Sequence, residues 1–516
     1  AEFDSAVYAT TVNVGHASDL TDTVVNHGDF DSTLTATTIN VLGGTGSAAE
    51  SAHLEVDGIL TATTMNITSG TGHDSSDSLV TAKANVTVTT INMNDTNADR
   101  ISSLTITNGS AATVTSNIDG VGAAEGTVNV TGGANVVTFS GKVGDSAADG
   151  ILALNVGITA TTGNAVFNGT VDATTITVDG EAADASADFN AATIGALNIN
   201  TGGTDGDDSS VTHSSNHTGA IVLDEQAGNN APVLTFDGNT TQTVTGDADG
   251  QAAGDGIISV AGTTALVYNG DIGNKATAIG DLRIASGASM TLTAVADTDG
   301  IALSAAESVN GRLDSDGSAG RGGTLTLVGE AGTGTDGNDD SQVSTIAGTV
   351  AMTAINVTGG AGFESASNAA GDNGGTSALT MSVASDITTL TVTGGAGADG
   401  FTNVNGDSGD GGAATSTNTL VLTATAVNVN GGLGGSGGAS VATSSGDGGV
   451  GGAATLDLNQ ATGTAQNIGT LTITGADGGV GGTATANTGG IGAVGGAATA
   501  NIAGDITGNI VLNDGE

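Results

Sequence analysis

Apolar and polar residues alternate in short runs along the chain, and one such run returns at a nearly fixed interval. It reads Thr11-Val12-Asn13-Val14, Thr38-Ile39-Asn40-Val41, Thr64-Met65-Asn66-Ile67 and Thr90-Ile91-Asn92-Met93, with the asparagines 27, 26 and 26 residues apart. A two-residue period is that of a strand, and a constant return interval lets each strand lie on its predecessor one coil further along. Stacking in register places Val12, Ile39, Met65 and Ile91 in one interior file and Val14, Val41, Ile67 and Met93 in the next. Asn13, Asn40, Asn66 and Asn92 then form a ladder on the opposite face, where aligned amides hydrogen-bond along the stack. Intervening pieces such as Leu54-Glu55-Val56 supply another side, and Gly43-Gly44 and Ser69-Gly70 mark corners.

The phrase recurs less evenly at Leu154-Asn155-Val156, Leu197-Asn198-Ile199, Ile355-Asn356-Val357 and Val427-Asn428-Val429, which extends the same architecture towards the C-terminus. A second phrase occupies the middle: Phe139-Ser140-Gly141, Phe167-Asn168-Gly169, Phe236-Asp237-Gly238 and Tyr268-Asn269-Gly270. An aromatic followed two residues later by glycine describes a strand that bends, its ring packed in the core. From about Ile355, strands end at Thr358, Thr393, Asn430 and Thr474 and pass into glycine-rich segments opening with Gly359-Gly360, Gly394-Gly395, Gly431-Gly432 and Gly475-Ala476. These predict loops inserted at one corner of successive coils, either mobile or fixed by cations or a partner, because ordering so much glycine is entropically costly.

The fold class expected is all-β, an elongated parallel β-solenoid (β-helix) with glycine-rich loop insertions in the C-terminal third. It divides into regular coils of about 26 residues over 1–135, less regular coils with acidic turns over 136–350, and coils with long glycine-rich loops over 351–516. A rival reading leaves the last 160 residues without order.

Composition supports a thin core. Gly numbers 88, aromatics make up 2%, proline occurs once (Pro232) and Trp not at all, so files of Val, Ile, Leu, Ala and Thr must fill the interior. Straight-chain helix formers are scarce. Acidic residues number 54 against 7 basic, a net charge of −47. Such a surface repels phosphate backbones and anionic bilayers, which excludes nucleic acid as a partner. Beyond Arg321 no Lys or Arg occurs, so divalent cations or salt must screen the remaining charge. With no cysteine, stability comes from stacking alone. No run of about 18 apolar residues is present, so no direct membrane span is expected.

Several acidic motifs invite calcium. Gly394-Gly395-Ala396-Gly397-Ala398-Asp399-Gly400-Phe401-Thr402 fits the calcium nonapeptide of RTX repeats, in which glycine corners aim carbonyls inward and an aspartate closes the oxygen cage. Asp-x-Asp-Gly units stand at Asp247 and Asp249, Asp297 and Asp299, and Asp314 and Asp316, with looser clusters at Asp205, Asp207 and Asp208 and at Asp336, Asp339 and Asp340. Ca²⁺ is therefore the one cofactor proposed, with solvated turns as the alternative. His213 and His217 have a zinc-like spacing only on a helix, which the surrounding Ser, Thr and Asn do not predict. Enzymes that cleave acidic polysaccharides need Arg or Lys at the substrate carboxylates, and Lys83, Arg100, Lys142, Lys275, Arg283, Arg312 and Arg321 are dispersed. A polysaccharide-active β-helix enzyme is thus a minor alternative, and no catalytic residue is assigned.

Val137-Thr138-Phe139-Ser140-Gly141 and Thr174-Thr175-Ile176-Thr177-Val178, together with the glycine-rich segments, resemble bacterial β-strand-repeat surface proteins: autotransporter passengers, adhesins and surface-layer proteins. The resemblance implies export, a secreted, extracellular or cell-surface location, and no catalysis. An opening Ala1 in place of methionine agrees with a removed signal peptide. The leading expectation is a structural subunit that self-assembles head-to-tail with copies of itself into a surface filament or surface layer. The alternative is an adhesin or autotransporter-type stalk that attaches to cell-surface glycans or neighbouring cells.

Overall fold

The recurring phrase becomes a set of parallel strands in the computed structural model, and its interval becomes the coil length. The structure describes residues 1–15, 24–45, 50–71, 76–96, 99–107, 109–133, 135–145, 148–157, 162–180, 184–202, 208–225, 231–252, 255–270, 272–273, 277, 279–285, 287–293, 302–303, 312–314, 322–329, 342–346, 349–362, 371–381, 384–401, 407–440, 445–459, 466–485, 488–503 and 506–516. Every regular element among them is a strand, and the strands pair in parallel, as in a β-solenoid. The chain forms two compact units, Ala1–Gly238 and Asn239–Glu516.

In the first unit each opening coil carries a nine-residue strand and a shorter one. Val7–Gly15, Leu34–Leu42, Leu60–Thr68 and Val86–Asn94 stack in the predicted register: Val12 on Ile39 on Met65 on Ile91, and Val14 on Val41 on Ile67 on Met93. Ile39, Met65, Ile91, Val41, Ile67 and Met93 are fully buried, each contributing on the order of 1.5–3 kcal/mol. Register is locked because a one-residue slip would turn every one of these side chains to solvent.

The asparagine ladder is outward-facing and continuous over four coils. Asn40 Nδ2 donates to Asn13 Oδ1 at 2.7 Å, Asn66 to Asn40 at 2.8 Å and Asn92 to Asn66 at 2.8 Å. It ends where Asp119 takes the next position, since a carboxylate has no N–H to pass on. Asn155 and Asn198 belong to a different file, which runs through Asn129, Asn155, Thr177 and Asn198; there Asn155 donates to Asn129 at 2.9 Å. Replacing Asn40 with Ala removes one bond on each side. A loss of about 1–2 kcal/mol is expected, seen as a lowered midpoint in thermal unfolding, whereas Asn13→Ala breaks one bond and costs about half as much.

The middle of the unit is built on rings. Phe139, Phe167, Phe189, His213 and Phe236 occupy one interior file, with successive centroids 4.7, 5.0, 4.9 and 5.8 Å apart and near-parallel planes. The predicted core role of Phe139, Phe167 and Phe236 therefore holds, and two members of the file, Phe189 and His213, lack the glycine that marked the others.

In the second unit the same two-file strand returns. Ile355, Leu390, Val427, Leu471 and Ile510 form one file, and Val357, Val392, Val429, Ile473 and Leu512 the other. Between Val427 and Leu471 the chain spends 44 residues on a coil that needs 26 in the first unit (471 − 427, against 91 − 65). The strands have not lengthened; the surplus is glycine-rich.

Candidate functional site

The glycine-rich segments supply the most distinctive surface of the molecule. They run out from the long strand and back to the short one in steps of three, as in Gly431-Gly432-Leu433-Gly434-Gly435-Ser436-Gly437-Gly438 outward and Asp447-Gly448-Gly449-Val450-Gly451-Gly452 on the return. Three residues per turn is the period of polyproline II, in which no hydrogen bond forms within a segment and all backbone groups face neighbours.

Each place in the triplet has one task. The first N–H donates to the same run one coil on: Gly431 to Thr474, Gly434 to Asp477 and Gly437 to Val480, at 2.8–3.1 Å. The second N–H crosses between outward and return runs. Gly515 donates to Gly496, Gly496 to Ala476, Ala476 to Gly452, Gly452 to Gly432, Gly432 to Gly412, Gly412 to Gly395, Gly395 to Gly375 and Gly375 to Gly360, all at 2.8–3.1 Å. The result is a two-layer slab knitted by backbone alone. No described glycine beyond Gly287 has a positive φ, so glycine here serves close approach. A Cβ on Gly411 would lie 1.8 Å from the Gly432 carbonyl oxygen, and one on Gly434 2.1 Å from that of Gly449.

To the expectation of loops that are mobile or held by cations or a partner, the described residues add a third means of ordering. They hold one another through backbone hydrogen bonds, and those of second-place glycines such as Gly432, Gly435, Gly449 and Gly452 are buried.

The third residue of a triplet faces outward, and where an aspartate stands at the same place in the coil before, its carboxylate serves the N–H. Asp399 Oδ1 accepts from Ser436 N–H at 2.7 Å, Asp410 from Val450 at 2.7 Å, Asp447 from Ile491 at 2.8 Å and Asp477 from Glu516 at 2.9 Å. Asp399, read as a calcium ligand, therefore has a structural partner 37 residues along. Of the remaining calcium candidates, Asp249 Oδ1 accepts from Thr277 Oγ1 at 2.9 Å and Asp247 lies beside Gly270. Asp314 pairs in register with Arg283 on the strand Arg312–Asp314, while Asp297, Asp299 and Asp316 lie outside the described residues, as do Asp205, Asp207, Asp336, Asp339 and Asp340. Among the described residues none of the candidates joins two other metal-ligating side chains.

His213 and His217 sit on strands, both buried, with ring centroids 5.2 Å apart. Thr193 Oγ1 and His217 Nδ1 share a hydrogen bond of 2.7 Å.

The first and last coils expose the interior files. Val7–Gly15 pairs along one edge only among the described residues, and beside it Phe3, Val12, Val14 and Phe30 line a hollow of about 470 Å³. At the other end Asn509–Asn513 pairs only with Asn467–Thr474, leaving Ile510 and Leu512 about half exposed. In comparisons with known proteins the chain matches no family model, no curated protein and no solved structure.

Proposed function

We propose that the protein is a non-catalytic, extracellular structural subunit whose coils continue into those of another copy, end to end, to form a filament or surface layer. One observation carries this reading: among the described residues both terminal coils present an unpaired parallel edge beside members of the interior files, the half-buried Val12 at one face and the exposed Ile510 and Leu512 at the other. Whatever covers such a face must supply strands at the same spacing, and open edges of this kind are otherwise a template for association. Because each copy carries −47, contact requires salt to shorten the range of repulsion to about 10 Å or less.

The test is sedimentation of the full chain at rising concentration, at low and high ionic strength and with and without calcium. Oligomers that lengthen with concentration in high salt, and that Ile510→Asp suppresses at least tenfold, support the proposal. A chain that stays monomeric under all these conditions overturns it.

An adhesive role has one observation in its favour. Leu433, Val480, Ile491 and Val494 stand outward on the slab, Ile491 at 74% and Val494 at 70% exposure, as aliphatic side chains presented by a hydrogen-bonded backing. Retention of a monomeric chain on an apolar surface, reduced by Ile491→Ser, distinguishes this reading from end-to-end assembly.

A further inference from the structure

Two coils of the first unit bring together a set of ligands that lie 26 and 28 residues apart in the chain. His27 on the strand Val24–Phe30 is in register with His53 on the strand Glu50–Val56, and their rings stack at 4.7 Å with planes 3° apart. Glu55, two positions on from His53, faces the same side: its Oε2 lies 3.6 Å from His27 Nε2. One ligand atom from each of the three residues falls within 4.8 Å of the other two.

The surroundings select which atoms are available. Lys83 Nζ holds Glu55 Oε1 at 2.6 Å and Asp57 Oδ1 at 2.7 Å, which fixes the carboxylate and leaves Oε2 turned towards the imidazoles. Thr81 Oγ1 lies 3.2 Å from His53 Nε2, at the edge of the cluster. In a tetrahedral site with metal–nitrogen bonds of about 2.0–2.1 Å, neighbouring ligand atoms stand about 3.4 Å apart. The His27 and Glu55 atoms already meet that separation. His53 reaches it by tilting its ring about the side-chain bonds, with no change in the ladder that sets the backbone spacing.

We propose that His27, His53 and Glu55 bind one divalent transition-metal cation of the zinc type, pinning two successive coils on the outside. Two imidazoles and one carboxylate favour this class over calcium, which prefers an all-oxygen set. His27 also lines the hollow beside the first coil, but metal binding by the monomeric chain is read without any assembly, so neither result decides the other.

The experiment uses the full chain stripped of metal by a chelator, then titrated with Zn²⁺ and with Ca²⁺ by calorimetry, and with Co²⁺ by visible absorption. One equivalent of Zn²⁺ bound in the micromolar range is expected, with the intense Co²⁺ band of a four-coordinate site and no comparable Ca²⁺ signal. His53→Ala and Glu55→Gln each weaken Zn²⁺ binding at least tenfold while strand content by circular dichroism is unchanged, both positions being at the surface. Absence of micromolar Zn²⁺ binding, equal binding by wild type and both variants, or equal affinity for Ca²⁺ overturns the proposal.

Discussion

Acidification from pH 6.5 to 4 is expected to destabilise the first unit, and His213→Phe is expected to remove a large part of that sensitivity. His213 is fully buried between Phe189 and Phe236, and burial, then the neighbouring His217, pushes its pKa well below the ordinary histidine value. His217 is pushed down to about 4, chiefly by burial, with a hydrogen bond to the Gly219 backbone opposing the shift. Both imidazoles are thus neutral in the folded chain while an unfolded chain binds protons at about pH 6.5. Stability is fully present above that value and falls as the pH drops towards the folded pKa, because the unfolded state binds more protons throughout the window. For His217 the interval from 6.5 to about 4 corresponds to a loss on the order of 3 kcal/mol.

Partly desolvated carboxyls act in the opposite sense: Asp119, Asp172, Asp188 and Asp224 have pKa values raised first of all by desolvation, so protonating them favours the fold. Phenylalanine at 213 would extend the stack without a titrating ring. Thermal melts at pH 7.5, 6, 5 and 4.5 provide the measurement: the wild-type midpoint should fall across the series and that of His213→Phe should fall less. Parallel curves for the two chains would show that His213 is not protonated on unfolding.

The second large effect is expected at Gly434. Replacement by Val forces a branched side chain towards the Gly449 carbonyl oxygen, at a point where even a Cβ would stand 2.1 Å away. The outward and return runs must then part, releasing Gly449 N–H from Gly435 and Gly452 N–H from Gly432. A loss of about 2–4 kcal/mol confined to the slab follows from several backbone bonds forfeited together. Hydrogen exchange should speed by at least tenfold over residues 431–438 and 445–452 while the strands Leu422–Asn430 and Ala454–Leu458 stay protected. Uniform loss across the second unit would instead mean that slab and strands unfold as one.

Much of the solenoid is written in plain form. Asn13, Asn40, Asn66 and Asn92 recur at the coil length, and the alternation around them names the buried files. The slab is written less openly, because glycine pairs are also the ordinary sign of a corner. The period of three from Gly431 to Gly438 becomes meaningful only once the next run, beginning at Gly475, is set beside it. Phe189 and His213 were hidden for a related reason: the residue two places on is Ala191 or Ser215, not the glycine of Phe139, Phe167 and Phe236. Asp399 stands in a calcium-type nonapeptide, and nothing local to it reveals that its Oδ1 also accepts from the amide of Ser436. His27 and Glu55 meet only through the register of two coils, a relation that no local motif encodes.

Because the three places of each slab triplet do different work, changes of length in this flank are constrained like those in a reading frame. Gain or loss of one residue hands the bonding places to the wrong amides from that point to the tip. Whole triplets, added to the outgoing and incoming legs together, widen the flank by one notch and leave every other bond intact. Related chains should therefore differ here by insertions and deletions in multiples of three.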